Sequence, residues 1–328
     1  GTLDVNYTLI GGKVYAYGDC AGGGFGFNAS TEVLTKELTI KPTSVQGRYY
    51  VGGCIGANVV NLSQNLTMEY FRADNRLGSI VGEAFCGGII GYQRTYTAKQ
   101  FGTGALLDEM DAQQSAILPG IDGKTNLPGA EAASANTHTL TIRDSRNENN
   151  SLQTITNNIP IRAWLYVGGI VGYCENNSKL VISNCVNEGT IGTPANDDTQ
   201  HTHAKNGVNL ATFIAGEVDG RQLADGAADV TICPIGGIIG VNLKNQVIEH
   251  CTNKGTITGT SGIGGIVGLN AGSVRSCNLT ENFGSTSISY LGGISGINLG
   301  TITECTTKHG KTVSGKSNVG GITGWNLN

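Results

Sequence analysis

Hydrophobic and polar positions repeat with a fixed period in the C-terminal third of the chain. The segments GGIIGVN, GGIVGLN, GGISGIN and GGITGWN begin at residues 236, 264, 292 and 320, so successive starts are 28 residues apart. A period of about 20 to 50 residues indicates a stacked repeat fold. Related heptads begin at Gly22, Gly52, Gly87 and Gly168, which makes eight copies with less regular spacing upstream.

The second half of each repeat predicts strands. In LVISNCVNEGTI, after Gly168, the residues Cys185, Asn187, Gly189 and Ile191 alternate with the others, and VIEHCTNKGTI after Gly236 repeats the pattern. Such period-two alternation is typical of strands, and Gly and β-branched residues disfavour helix. Each repeat has room for three strands of about 5–6 residues. The sequence therefore predicts an all-β fold, a three-faced parallel β-helix (β-solenoid), right-handed because parallel crossovers nearly always are.

Two long insertions interrupt the period, at about 93–163 and 192–231, within a single solenoid body spanning 1–328. Insertions of this kind map to loops on one face, which is often the binding face. In the first, Ala105–Leu118 has helical spacing and TLTIRDS at 139–145 has strand character. The insertions are therefore the best places to look for function.

Three columns of identical residues are expected to be structural. Asn28, Asn58, Asn242, Asn270, Asn298 and Asn326 share one repeat position, which favours an amide ladder over the alternative of a glycan-binding row. Ile89, Ile170, Ile238, Ile266, Ile294 and Ile322 share another, and we expect them to form core. Cys251, Cys277 and Cys305 form a third column. Since parallel stacking does not give the converging geometry of a disulfide, we expect reduced, buried thiols.

The same residues carry a family resemblance. The pattern GGI(V/I)G-x-N followed by V/I-x-x-C-x-N-x-G-T-I resembles the GLUG motif, most closely over 168–191 and 236–328. The resemblance covers a little under half of the chain. It implies a bacterial cell-surface β-solenoid, as in secreted proteins of gut Bacteroidetes and the repeat-bearing part of IgA-specific metallopeptidase precursors. That peptidase needs an HExxH helix, which this sequence lacks, so the activity is not implied here.

The amino-acid composition limits the classes of binding partner that can be expected. Only 14% of residues are charged, the net charge is −4, and Lys and Arg do not cluster, so we expect no nucleic-acid partner. No apolar run is long enough to cross a bilayer, and contact with a membrane is expected only through an anchor outside this fragment. The chain starts at Gly1, within what looks like a processed piece. We expect an exported monomer, at the bacterial cell surface or extracellular, with glycans or surface proteins as partners.

Candidate chemistry is sparse. The second insertion holds Asp197, Asp198, His201 and His203, which suit a zinc site, although a solvated loop is the simpler interpretation. GIGGIVG at 262–268 lies inside the repeat with no following helix, so it is a repeat element rather than a dinucleotide loop. Carboxylates such as Glu175, Glu188, Glu249 and Glu304 occupy unlike repeat positions. We therefore assign no catalytic, cofactor-binding or metal residues and expect no cofactor.

Two function classes remain. The first is a non-catalytic surface protein, a stalk or adhesin-like body whose loops contact host or microbial glycans or proteins. The second is a polysaccharide lyase or glycoside hydrolase on a β-helix scaffold, which needs paired carboxylates or a Ca²⁺ cluster on one face. The periodic positions supply no such group, which favours the first class, although a site assembled from the insertions and Asp219, Asp225 or Asp229 stays open.

Overall fold

The computed structural model describes residues 2–17, 19–28, 32–61, 65–69, 71–96, 138–146, 152–175, 178–194, 203–218, 229–281, 283–308 and 310–327. In that part of the chain the backbone winds through eight coils, and each strand pairs in parallel with its equivalent in the next coil. The fold is an all-β parallel β-solenoid, as the repeat pattern predicts. The helix expected at Ala105–Leu118 lies outside the described residues, whereas the strand expected at 139–145 is present as Thr139–Arg143.

The coils pass in order through as many as five stacks of strands, named sheets A to E, rather than through three longer strands. Sheet A comprises Thr2–Ile10, Glu32–Lys41, Phe71–Ala73, Thr156–Asn157, Val186–Asn187, Thr252–Asn253, Asn278–Leu279 and Thr306–Thr307. Sheet B comprises Lys13–Tyr15, Ser44–Gln46, Ile80–Val81, Ile161–Arg162 and Ile191–Gly192. Ile257 bridges to Ile191, and Phe283–Gly284 pairs with Val313–Ser314, where sheet B continues along the chain.

The repeated heptads form sheets C and D. Sheet C comprises Ala21–Gly22, Tyr49–Gly52, Ala84–Gly87, Leu165–Gly168, Ile235–Gly236, Ser261–Gly264, Ser289–Gly292 and Ser317–Gly320. Sheet D comprises Phe25–Asn28, Ile55–Asn61, Ile90–Tyr96, Val171–Cys174, Ile239–Asn242, Val267–Asn270, Ser295–Asn298 and Thr323–Asn326. Sheet E comprises Leu66–Met68, Thr139–Arg143, Lys179–Ser183, Gln246–Glu249, Ser273–Arg275 and Thr301–Thr303.

The insertions leave the coil path at two places. The first departs after sheet D of coil 3, at Tyr96, and the chain returns to sheet E at Thr139, so residues 139–143, 156–157 and 161–162 belong to the stacks. A short antiparallel pair, Ser145–Arg146 with Leu152–Gln153, follows. The second departs after sheet B of coil 5. It contains a 3-10 helix His203–Asn206, an α-helix Leu210–Phe213, a π-helix Ile214–Val218 and an antiparallel pair, Val208–Asn209 with Thr231–Ile232.

The turn between sheets C and D explains the invariant pair of glycines within this chain. A Cβ atom on Gly237 would lie 2.1 Å from the carbonyl oxygen of Gly265 in the next coil and 2.5 Å from Cγ of Asn253 in sheet A. The tip of the turn therefore reaches across the interior of the coil and contacts sheet A. At such distances no side chain fits, which is why the position is glycine rather than any small residue.

Ladders of identical side chains run along the stack. Asn242 Nδ2 donates to Asn270 Oδ1 at 2.7 Å, Asn270 to Asn298 at 2.8 Å and Asn298 to Asn326 at 2.9 Å. The predicted amide ladder is thereby confirmed, and a separate run at the same repeat position joins Asn28, Asn58 and Gln93, with Cys174 of coil 4 between the two runs. A second ladder, unforeseen from the sequence, joins buried Asn157, Asn187 and Asn253 of sheet A. Within each ladder one amide donates to the next, whereas the Oδ1 atom of Asn242, at the start of its run, is buried without a hydrogen-bond partner.

The predicted thiol column is also confirmed. All nine cysteines are free, and seven of them are buried, while Cys20 and Cys305 are half-buried. The Sγ atom of Cys277 contacts the carbonyl oxygen of Ile248 at 3.7 Å, and the backbone N–H of Cys277 lies 3.5 Å from Sγ of Cys305. Burial raises the pKa of the Cys54, Cys86 and Cys174 thiols, so these groups stay protonated and unreactive.

Backbone strain is repeated as regularly as the side chains. The residue two positions before the first glycine of the turn has positive φ at Cys20, Tyr50, Phe85, Tyr166, Gly262, Tyr290 and Asn318. A second such column precedes the cysteines, at Asn184, His250, Ser276 and Glu304. Left-handed backbone at non-glycine residues costs about 1–3 kcal/mol each and persists only where surrounding structure requires it. Here the requirement is the tight corner that each coil must make in register with the next.

Gly237→Ala should lower the free energy of unfolding by about 3 kcal/mol, because the added methyl group would overlap the carbonyl oxygen of Gly265 in the next coil and the side chain of Asn253 in sheet A. Gly321 occupies the same repeat position in the last coil, and nothing lies within 4 Å of its would-be Cβ. Gly321→Ala is therefore the matched control and should change the unfolding free energy little. Urea denaturation followed by circular dichroism measures both, and equal effects would contradict the packing described for the turn.

Thiol titration tests the cysteine column. In denaturant we expect nine reactive thiols, because every cysteine is free. Without denaturant at pH 8, the seven buried thiols should react far more slowly, since the reagent needs both access and a thiolate. Recovery of only one thiol in denaturant without reductant, with the other eight paired, would contradict this assignment.

Candidate functional site

The second insertion is packed onto the outside of the solenoid through aromatic rings. Rings of sheet C stack along the coils, with centroids 5.0 Å apart between Tyr50 and Phe85 and again between Phe85 and Tyr166. Tyr173 of sheet D lies against Phe85 at 5.5 Å. Together with neighbouring apolar residues these rings form a second hydrophobic cluster, separate from the core inside the coils. Each aromatic pair adds about 0.5–1.5 kcal/mol beyond its buried area.

The helical turns of the insertion cover this aromatic ladder. Phe213 is buried 5.9 Å from the ring of Tyr166, and Leu210 and Ile214 are buried beside it. The α-helix starts where Asn209 caps it, accepting a hydrogen bond from the backbone N–H of Thr212 at 2.9 Å. The insertion is thus a fixed part of the body between residues 203 and 218, with its apolar side turned to the coils.

Polar groups gather at the rim of this contact. Arg94, at the end of sheet D in coil 3, pairs with Glu175 in coil 4 at 2.8 Å, and both side chains are only about one tenth exposed. The hydroxyl of Tyr173 donates to Glu217 of the π-helix at 3.2 Å. We call Arg94, Tyr173, Glu175 and Glu217 the seam cluster, since it joins the insertion to the solenoid.

Both carboxyl groups of the seam cluster hold protons more tightly than usual. Burial raises the pKa of Glu175 to about 7, the negative charge of Glu217 adds to the effect, and Arg94 opposes it. Burial also raises the pKa of Glu217, while the hydrogen bond from Tyr173 lowers it. The nearby hydroxyl of Tyr92 is buried without a hydrogen-bond partner. A carboxyl group that titrates near neutrality can act as a general acid or base, or make a contact depend on pH.

The sequence contains a signal for this cluster that was missed. Arg94 and Glu175 each lie seven residues after the first glycine of their heptads, at Gly87 and Gly168. Since those heptads are neighbours in sheet D, the opposite charges stack directly. No other heptad has a glutamate at the position of Glu175, and the stacked residue of the neighbouring heptad is Arg94. Glu217, by contrast, lies in an aperiodic segment, and no periodic signal could place it.

The residues proposed for a metal site fall largely outside the described chain. Asp197, Asp198 and His201 lie outside the described residues, and His203 begins a 3-10 helix. Asp219 and Asp225, which were considered for an enzyme site, also lie outside the described residues. Asp229 is exposed in a turn. Across the described ranges, no three His, Cys, Asp or Glu side chains come together in a way that could hold a metal ion. Nor does any helix within these ranges have the length and apolar character needed to cross a membrane.

Stability should depend on pH through Glu175. Its folded pKa of about 7 exceeds the ordinary value of 4.5, so the folded protein binds the extra proton between those values. The stabilisation is present at low pH and is lost as pH rises through about 7. We therefore expect the unfolding free energy to fall by up to about 3 kcal/mol from pH 5 to pH 8.

Glu175→Gln should flatten that pH dependence, as measured by urea denaturation at several pH values. Glu281→Gln is the control, because Glu281 is exposed and pairs with Lys311. The same slope in the native chain and in Glu175→Gln would show that Glu175 does not titrate in this range.

Comparisons with protein-family models, with curated proteins and with solved structures found no match to this chain. The fold assignment accordingly stands on the strand pairing, and the resemblance to GLUG repeats stands on the residue pattern alone.

Proposed function

We propose that this chain is a non-catalytic cell-surface repeat protein of the GLUG type, with the adhesin-like task of contacting glycans or surface proteins. The observation that carries the proposal is the way the second insertion is held. Its buried face is fixed on the aromatic ladder by Leu210, Phe213 and Ile214, while Thr212, Ala215 and Gly216 face outward. A rigid body with an aperiodic segment held on its surface suits display, since binding residues concentrate on loops positioned by a scaffold.

The repeat interior supports the same proposal. Amide and thiol ladders use the periodic polar positions for stacking, so those positions are engaged with neighbouring coils. What varies from coil to coil is outside, in the turns and insertions. The bacterial, extracellular setting comes from the residue pattern GGI(V/I)G-x-N and its second half, through the resemblance to GLUG repeats. In this function the seam cluster fastens the insertion to the coils.

A second candidate is a polysaccharide lyase or glycoside hydrolase, and the seam cluster favours it. Glu175 and Glu217 are two carboxyl groups with raised pKa at one site, and a raised pKa is what a general acid needs near neutrality. Against this, Glu175 is engaged by Arg94 and Glu217 by Tyr173. Their present contacts are those of a structural junction, which places the enzyme second.

A glycan-array screen of the purified chain, with products analysed by mass spectrometry, separates the two candidates. We expect binding without turnover, and we expect Glu175→Gln at pH 5 to bind as the native chain does, because the variant mimics the protonated group. Cleaved or unsaturated products that disappear in both Glu175→Gln and Glu217→Gln would establish the enzyme instead. Binding to no glycan and to no host or bacterial surface protein would also contradict the proposed function.

A further inference from the structure

A groove lies on another part of the surface, where the turns between sheets A and B stack along coils 3 to 6. Its volume is about 410 Å³, and its lining residues are Arg76, Asn158, Pro160, Glu188, Thr190 and Lys254. Small-ligand sites have volumes of about 300–1,000 Å³, so the groove is large enough for a sugar unit or two. None of these residues belongs to the seam cluster, and none was singled out for binding from the sequence.

One turn is longer than its neighbours and forms a wall of the groove. Six residues, 74–79, connect sheets A and B in coil 3, whereas 158–160 make the same connection in coil 4. Asn75 fixes this longer turn, since its Nδ2 donates to the carbonyl oxygen of Pro42 at 2.8 Å and its Oδ1 accepts from the N–H of Leu77 at 3.1 Å. The turn places Arg76 beyond coil 4, where it reaches Glu188 of coil 5 at 3.0 Å.

The groove carries a net positive charge with free donor capacity. Glu188 also accepts from Lys254 at 3.1 Å, and the hydrogen bond from Lys254 is the main cause that lowers the pKa of Glu188. One carboxylate is therefore shared by two cations. Three quarters of the Arg76 side chain and half of the Lys254 side chain remain exposed. Because a guanidinium has five N–H donors, Arg76 can bind a second acceptor without releasing Glu188.

The lining of the groove also contains the uncharged residues Asn158, Pro160 and Thr190. Asn158 donates through Nδ2 to the carboxylate of Asp74, and its Oδ1 is buried without a hydrogen-bond partner. Thr190 adds a hydroxyl group and Pro160 an apolar ring to the same lining.

We propose that this groove binds an acidic saccharide, a uronic acid unit within a glycan chain. The carboxylate of the sugar binds Arg76 and Lys254. Its planar shape matches the guanidinium of Arg76, which can donate two parallel hydrogen bonds to it. A ring hydroxyl hydrogen-bonds to the exposed hydroxyl group of Thr190, and the apolar face of the ring packs on Pro160. A ligand with a carboxylate and hydroxyls on one rigid ring meets all of these groups, whereas an acidic peptide offers the carboxylate without the hydroxyls. The proposal rests on the proposed function, because it names a site and ligand class for glycan contact.

Isothermal titration calorimetry of the whole chain with trigalacturonate tests the proposal, at fixed ionic strength. Galactotriose serves as the neutral probe, and a glutamate tripeptide and inorganic sulfate serve as the acidic probes without sugar. We expect trigalacturonate to bind at least tenfold more tightly than the other three. Arg76→Gln should weaken that binding at least tenfold, and Thr190→Val several-fold. Glu188→Gln should strengthen it several-fold, because it removes the carboxylate that competes for Arg76 and Lys254.

Arg143→Gln is the matched control, since Arg143 is a comparably exposed arginine that pairs with Glu69 at 3.1 Å away from the groove. It should leave the affinity for trigalacturonate within twofold of the native value. Unchanged affinity in Arg76→Gln, equal binding of galactotriose or the acidic peptide, or no binding of trigalacturonate would each overturn the proposal. Glycan-array binding that persists in Arg76→Gln would overturn the groove assignment while leaving the proposed function in place.

Discussion

Every coil must lie in register on the one before it, and the narrowest point of the interior decides which residues that allows. At the turn between sheets C and D, the backbone comes so close to Asn253 and to Gly265 that a methyl group on Gly237 does not fit. This contact across the interior fixes how far each heptad reaches inward. Because this turn recurs in every coil, the amide ladders, the thiol column and the left-handed corner residues also recur at equivalent positions.

Much of this follows from the sequence because stacking makes the periodic positions self-consistent. The eight heptads, the Asn ladder, the reduced cysteines and the Ile column from Ile89 to Ile294 all depend on residues meeting their own equivalents in the next coil. The prediction that Ile322 also lies in the core was wrong, because within the described residues no coil packs on its outer side and the side chain is exposed. The division of each coil into five short strands does not follow, because corners at residues such as Tyr50 and His250 arise from left-handed backbone at non-glycine positions. Side-chain type alone gives no sign of such corners.

The two candidate sites were less predictable for a different reason. Each combines residues from coils whose separation in sequence is irregular, as with Arg76 and Glu188, or from a coil and an insertion, as with Tyr173 and Glu217. Periodicity identifies which residues stack, and it carries no information on what an aperiodic segment contacts. Only the charge pairs Arg94–Glu175 and Glu188–Lys254 lay within reach of a repeat alignment, because the members of each pair share a repeat position. Each candidate site therefore includes at least one residue outside the strict repeat, such as Arg76 or Glu217.

The last coil differs from the inner ones in a way that bears on dynamics. Ile238, Ile266 and Ile294 are fully buried, whereas Ile322, at the same position in coil 8, is 43% exposed. In a quasi-one-dimensional fold each coil is stabilised by its neighbours, so local opening starts where a neighbour is missing. Amide hydrogens should therefore exchange faster in coil 8 than in coils 3 to 5, where the insertion packs on the aromatic ladder.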